Sequence, residues 1–295
     1  IQHTLMRNIL LSFFLLFGLS ATSMAQTIDW GNSGKQKRMK SDTIAKKILE
    51  PAKYIATYAY TYVRDAADPN SKRHGETILE IGDRYNRFGD RYRLSFDSIY
   101  DEGAQRQITV METTSQLLPL LKKEKFKENI IWDKKTNKEI IQRTAGLTQL
   151  YQYDENCPKL NWQLLEGDTI INGYKCNKAK TSLFGRDYVA WYAPEITMPY
   201  GPYKFNGLPG LVLRVTDTQN QFDFLLNGFQ KVNGPRPIYL WSEKEIIKTN
   251  RKTVRQIYKN YCADPAGALT SADVIVPEET KASVFAKPYN PMELE

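Results

Sequence analysis

Histidine is almost missing, with two residues in 295. A Ser-His-Asp triad would rest on His74 alone, because His3 stands ahead of an export signal; no HExxH metal pair exists. Cysteine is scarce too. The three, Cys157, Cys176 and Cys262, form no CxxC and no Cys/His ligand spacing, which excludes zinc-ribbon and thioredoxin-type chemistry. The chain also lacks a GxSxG elbow, a phosphate-binding glycine loop and a dinucleotide fingerprint, so no cofactor or metal is expected. Carboxylates are plentiful, with 33 Asp and Glu, and paired-carboxylate hydrolysis stays open, since spacing in space is not visible in a sequence. Asp97, Asp101 and Glu102 beside Tyr100 lack calcium-loop spacing and read as a solvated turn. No fixed-period repeat and no linker-like break divides the chain.

Long apolar runs are absent as well. The one at 9–19 falls short of the roughly 20 residues that span a bilayer. Preceded by Met6 and Arg7 and followed by Ser23 and Ala25 at the −3 and −1 positions of a cut before Gln26, it has the three parts of a secretory signal. The expected organisation is a signal over 1–25 starting at Met6, a polar leader with a possible short helix over 26–50, and one β-rich domain over 51–295. The helix in the leader would run over 42–49, capped by Ser41 and stopped by Pro51. No Cys follows the cut, which argues against a lipid anchor, and the product is expected to be periplasmic or secreted, with no further membrane span. Losing the signal lowers the formal charge of +8 by one. In an exported compartment that excess points to envelope polyanions and away from nucleic acid. Disulfides form there, and three cysteines leave at least one unpaired; Cys157 and Cys176, nearest in sequence, are the candidate pair, worth about 3 kcal/mol.

Residues 53–63 alternate, with Tyr54, Tyr58, Tyr60 and Tyr62 on one parity, which reads as a strand. Further strand patterns occur at 76–81, 91–96, 107–112, 129–133, 138–143, 148–153, 162–166, 174–183, 187–192, 211–217 and 222–231. Links such as Asn172-Gly173 and Gly185-Arg186-Asp187 suit tight reversals. The fold class expected is mainly β (α+β): a single curved antiparallel sheet or incomplete barrel of about ten or more strands, packed with one amphipathic C-terminal helix. That helix is expected over 243–262, with Ser242 and Glu245 as a capping box, Trp241 and Ile246 as a staple, and Asp264-Pro265 as its stop. Its apolar arc includes Val254, Ile257 and Tyr258. Its basic arc includes Lys244, Lys248, Arg251, Lys252, Arg255 and Lys259, either solvated or facing an anionic partner.

The most specific signature is Trp191-Tyr192-Ala193-Pro194, followed by Gly201-Pro202-Tyr203-Lys204-Phe205-Asn206-Gly207-Leu208-Pro209-Gly210-Leu211-Val212. With Gly173-Tyr174-Lys175-Cys176 and the closing Lys287-Pro288-Tyr289-Asn290-Pro291-Met292-Glu293-Leu294, it resembles the GLPGLI family, exported proteins of Bacteroidota, with Val212 where the family name has Ile. The resemblance implies a cell-envelope protein and transfers no catalytic residue. Physically, Pro209-Gly210 suits the centre of a type II turn, and Gly207 a further reversal, within a long link over 193–210.

Two roles are open for that link. It is either a plug over one end of the sheet or a rim over a ligand cavity, with Trp191, Tyr203, Lys204 and Phe205 as first contacts. Likewise the tyrosine stripe, Tyr58 and Tyr60 above all, is either core or the lining of an apolar cavity. The leading expectation is therefore a noncatalytic binding or carrier protein for a lipid or other apolar ligand. The alternatives are an assembly module for an outer-membrane partner and, last, a carboxylate hydrolase.

Overall fold

The computed structural model describes residues 37–146, 149–243, 245–270 and 285–294; the expected signal and residues 26–36 of the leader lie outside them. Fourteen strands are present among the described residues. They are β1 (Lys46–Pro51), β2 (Tyr54–Asp65), β3 (Asp68–Ile81), β4 (Tyr85–Asp90), β5 (Glu128–Asp133), β6 (Lys138–Ala145), β7 (Gln149–Asn156), β8 (Gln163–Ile171), β9 (Tyr174–Leu183), β10 (Arg186–Ala193), β11 (Leu211–Asp217), β12 (Phe222–Lys231), β13 (Pro237–Trp241) and β14 (Ile247–Lys248). Four helices accompany them: α1 (Arg91–Gln105), α2 (Val110–Lys123), α3 (Arg251–Ala263) and α4 (Pro265–Thr270).

Twelve strands form one sheet in the order β14-β7-β6-β5-β4-β3-β2-β12-β11-β10-β9-β8, and β1 pairs with β13 in a separate ribbon. All pairs are antiparallel except β14 with β7. The sheet is not closed; its order runs from β14 to β8 without returning.

Both faces of the sheet's middle are covered, and alternation decides which residue goes where. In β3, Leu79 and Ile81 enter the main core while Ile78 packs with Leu94 of α1 and with Tyr239 and Trp241 of β13. Ile130 and Ile141 face the main core; Ile131 faces Ile238 and Leu240 of the ribbon. One face therefore carries the link after β10 and α3, and the other carries the β1–β13 ribbon and α1.

Several local expectations are corrected. Residues 91–96 alternate like a strand but open α1, because the Asp90 carboxylate accepts from Tyr92 N and Arg93 N and so caps a helix. The pattern at 107–112 is the start of α2, capped by Thr109, whose hydroxyl accepts from Glu112 N. Residues 46–51 form β1, not a helix, since a partner strand, β13, satisfies their backbone. The C-terminal helix begins eight residues later than expected, at Arg251. Trp241 and Ser242 are held by the ribbon, through Ser242 N to Ala45 O, Ile247–Lys248 pair with β7, and Asn250 Oδ1 caps Thr253 N. Lys244 lies outside the described residues. His74 is on β3, opposite Thr61. No helix among the described residues is long and apolar enough to cross a membrane.

Candidate functional site

The link between β10 and β11 is bonded to itself. Phe205 N donates to Pro202 O, Gly207 N to Pro199 O, Gly210 N to Leu208 O, Leu211 N to Ile196 O and Val212 N to Tyr200 O. The expected type II turn at Pro209-Gly210 is absent: Gly210 N closes a three-residue turn on Leu208, while Leu211 N goes to Ile196. Gly207 has φ +89°, a conformation natural to glycine. At Gly210 the constraint is steric, since a Cβ would stand 2.2 Å from Ala193 O. Gly210→Ala is expected to cost about 1–3 kcal/mol as overpacking against backbone, measured by urea unfolding; a change under about 0.5 kcal/mol would mean that the link shifts freely.

This link fills the core. Phe205, Leu208 and Tyr203 are buried; the Phe205 ring packs 4.7 Å from Tyr188, and Tyr203 sits 6.1 Å from Phe126. The tyrosine stripe meets them from β2. Tyr60 stacks on Phe224 at 4.8 Å, and the fully buried Tyr58 donates its hydroxyl to Val212 O at 3.0 Å. The space left under the link, lined by Phe88, Glu139, Tyr203 and Phe205, is about 20 Å³, room for one water and far below the several hundred Å³ of a ligand pocket. Tyr58, Tyr60, Tyr203, Lys204 and Phe205 are thus packed core and plug, not the lining of an apolar cavity. Trp191 lies apart on β10, half-buried beside Lys178 of β9.

Lys204 does something the sequence did not suggest. Its side chain is fully buried, with Nζ 2.5 Å from Glu155 Oε1, 2.8 Å from Glu293 Oε1 and 3.9 Å from Glu139 Oε2. The Tyr203 hydroxyl donates to the same Glu293 carboxylate, Arg251 Nε lies 2.9 Å from its other oxygen, and Arg255 Nη2 donates to Glu293 O at 2.7 Å. Burial penalises the Lys204 ammonium, but Glu293, Glu139 and Glu155 outweigh it and raise its pKa. Burial also opposes ionisation of Glu293, and Lys204, Tyr203 and Arg251 reverse the balance, so its carboxyl titrates below the usual range. Glu139 is different: burial dominates, and its carboxyl is pushed up to about 7. Burial and Glu139 push the Cys157 thiol up to about 12, which makes it a poor nucleophile.

This cluster shows how far the sheet curls. β7 and β11 are separated by six strands, a flat distance of about 33 Å at ~4.8 Å per strand. Lys204 is four residues from Tyr200, whose carbonyl is bonded to Val212 N of β11; its backbone therefore stays within about 18 Å of that strand, and about 10 Å more for the two side chains still falls short of the flat distance, yet it touches Glu155 of β7. The sheet must bend, and Lys204 ties its two halves. Cys157 and Cys176 follow from the same topology: Cys157 lies just after β7 and Cys176 on β9, and all three cysteines are free. The expected disulfide is not formed.

The C-terminal segment 285–294 threads along the open end of the curl. Arg186, nearly buried, donates to Asn290 Oδ1 and Pro291 O; Tyr188 donates to Met292 O, and Leu294 N to Phe184 O. Between this segment, α3 and the β9–β10 turn opens a cleft of about 990 Å³. Among the described residues its charged lining is Arg186, Arg251, Lys252, Arg255 and Lys259, with no carboxylate. Arg186 is within 3.5 Å of Asp217, and Arg251 is paired with Glu293. Among the described residues, no carboxylate lies within ion-pair distance of Lys252, Arg255 or Lys259. Helical spacing puts the α3 cations here: residues 251, 252, 255 and 259 fall on one face, while Val254, Ile257 and Tyr258 pack on the core. The acidic trio elsewhere is structural. Asp97 is buried and accepts from Tyr239 and Trp241, Asp101 takes Ile44 N and Lys46, and Glu102 pairs with Arg106. Among the described residues, no group of three or more His, Cys, Asp or Glu is placed to hold a metal.

Fold and site together define a curled, open, mainly antiparallel β-protein with a basic cleft at one end. No family model matches the chain, and no curated protein matches it. Among solved structures, two crystal forms of PNGF-II, in space groups C2 and P21, align with TM-scores of 0.47 and 0.46 at 15% identity, over 70% of this chain and 33% of theirs. The chain spans a third of the length of those structures, and at such scores the likeness bears on no activity.

Proposed function

We propose that this chain is an exported, noncatalytic binding protein whose ligand is an anion held in the cleft between α3, the β9–β10 turn and the C-terminal segment. One observation carries the reading: a cleft of about 990 Å³ gathers five cations and, among the described residues, no carboxylate, and three of the five face no neutralising partner among those residues. Like charges converging on one concavity repel one another, and an arrangement that costs stability without a ligand is relieved by one. Export is supported by the signal-like segment over 1–25 and by the resemblance of the 201–212 and 287–294 motifs to GLPGLI proteins. The binding reading is kept from the sequence, but the filled core moves the ligand from an apolar interior to a basic cleft.

The test is calorimetric titration with short-chain inorganic polyphosphate at low ionic strength. The unmodified protein is expected to bind, and Lys252→Glu/Lys259→Glu, at two exposed positions of α3, to bind at least about tenfold more weakly, a loss of about 1.4 kcal/mol or more. Absence of binding by the unmodified protein, or equal binding by the variant, would overturn the reading.

A further inference from the structure

We infer that the cleft's ligand is an acidic saccharide chain, a polymer carrying both carboxylate, sulfate or phosphate groups and free hydroxyls. The inference rests on the anion-binding reading and adds the chemistry of the rest of the wall. Between the cations stand four amides, Gln219, Gln221, Gln256 and Asn290, on three separate elements. Asn290 is spent on Arg186 and Val63, but Gln219 keeps both its amide functions, Gln221 its NH2 and Gln256 its carbonyl, so the open groups include both donors and acceptors, as a sugar hydroxyl requires. A bare polyphosphate offers acceptors and negative charge only, and the open carbonyls of Gln219 and Gln256 would face it unmatched.

The third component is Tyr289, half-buried at the wall with its ring tilted 50° against Tyr258. An aromatic ring at the side of a polar cleft gives the C–H face of a sugar ring a surface on which to lose water while its hydroxyls meet the amides. Guanidinium groups complete the set. Arg255 keeps its Nε buried and without a hydrogen-bond partner, while its Nη2 is committed to Glu293 O. Arg186 at the floor holds the C-terminal segment, so the floor is rigid before any ligand arrives.

Shape decides against a membrane surface. A flat layer of headgroups resting on the rim meets the exposed Lys252 and Lys259 and leaves the half-buried Arg255 and Tyr289 unused. Nor does the rim carry the belt of large apolar side chains that inserts into a bilayer; Leu294 is the one strongly exposed large apolar side chain among the described lining residues. A chain narrow enough to lie in the cleft meets the α3 cations, the open amide functions of Gln219, Gln221 and Gln256, and Tyr289. Of anionic polymers, one with hydroxyls uses the amides as well as the cations.

The experiment compares four probes on the full-length protein: an oligomer of galacturonate, its methyl ester, short-chain polyphosphate, and vesicles containing phosphatidylglycerol. The galacturonate oligomer is expected to bind at least about tenfold more tightly than polyphosphate, although its charges are more widely spaced, and its uncharged ester to lose most of that affinity. Tyr289→Ala and, separately, Gln219→Ala, an exposed position in the β11–β12 turn, are expected to weaken galacturonate binding several-fold and to leave polyphosphate binding unchanged. Polyphosphate binding as tight as galacturonate binding, or both side-chain variants affecting the two probes alike, would overturn the saccharide inference and leave the anion-binding reading standing. Binding to vesicles alone would replace the saccharide by a lipid surface. Failure of every probe would remove both.

Discussion

Lys204→Met is expected to lower the stability of the protein by about 3–5 kcal/mol, the cost of removing one partner from a buried ionic cluster and leaving the other charges behind. Methionine fills the volume but offers nothing to Glu139, Glu155 and Glu293, which converge on Nζ from β6, β7 and the C-terminal segment. Glu155 is 18% exposed and can turn toward water. Glu293 keeps Arg251. Glu139 is 2% exposed and its Oε2 has no hydrogen-bond partner, so its ionised form becomes untenable once the cation is gone. Because Lys204 joins two halves of a sheet that is otherwise open, the loss also loosens the curl and the segment that forms one wall of the cleft. Urea unfolding measures the change, and a cost below about 1 kcal/mol would mean that water reaches these carboxylates in the folded protein.

Glu139→Gln should act in the opposite sense, and only above a certain pH. Burial pushes the Glu139 carboxyl from 4.5 up to about 7, with Lys204 opposing. The folded protein therefore binds this proton more tightly than the unfolded chain. Below about pH 4.5 both states hold it and the group contributes nothing; as pH rises through the interval, the unfolded chain releases the proton first and stability falls; above about pH 7 the full cost, about 3 kcal/mol, is present. Glutamine keeps the shape of the protonated acid and cannot ionise. The variant should match the parent near pH 4 and exceed it by up to about 3 kcal/mol near pH 8. Comparing the two proteins at each pH removes the contributions of Glu293 and the other carboxyls, whose shifts differ in sign. A variant less stable than the parent at both pH values would show that Lys204 requires a carboxylate at this position.

The strand-rich architecture was legible because strands write themselves in alternation: 174–183 and 222–231 match strands of the structure, and 53–63 overlaps β2 in all but its first residue. The helices on the far face were less so. Arg91-Tyr92-Arg93-Leu94-Ser95-Phe96 alternates in polarity, and the cap at Asp90 outweighs it. At Thr109 the capping box Thr-x-x-Glu was there to be read, and the strand pattern of 107–112 hid it. The start of α3 was misplaced because Ser242 and Glu245 carry the same kind of signal as Asn250, and only the pairing of β14 with β7 decides between them.

For the site, the sequence marked the right segments and left two roles open, of which the packed core and plug are the ones found. Lys204 and Phe205 stand in the motif link and Glu293 in the closing motif, but that these meet Glu139 and Glu155 depends on a sheet curling over six intervening strands, which no local pattern encodes. The α3 cations were visible as one helical face. Arg186, Gln219, Gln221 and Asn290 were not, because they arrive from a turn, a second turn and the C-terminal segment.

The central claim, that an anion occupies this cleft, is tested most directly by mapping backbone amide shifts as polyphosphate is added to the isotopically labelled protein. The account predicts changes confined to 251–259, the β9–β10 turn around Phe184 and Arg186, and residues 289–294. Changes centred elsewhere, on the basic leader at 37–40 or the exposed edge of β8, with those three segments unmoved, would contradict it.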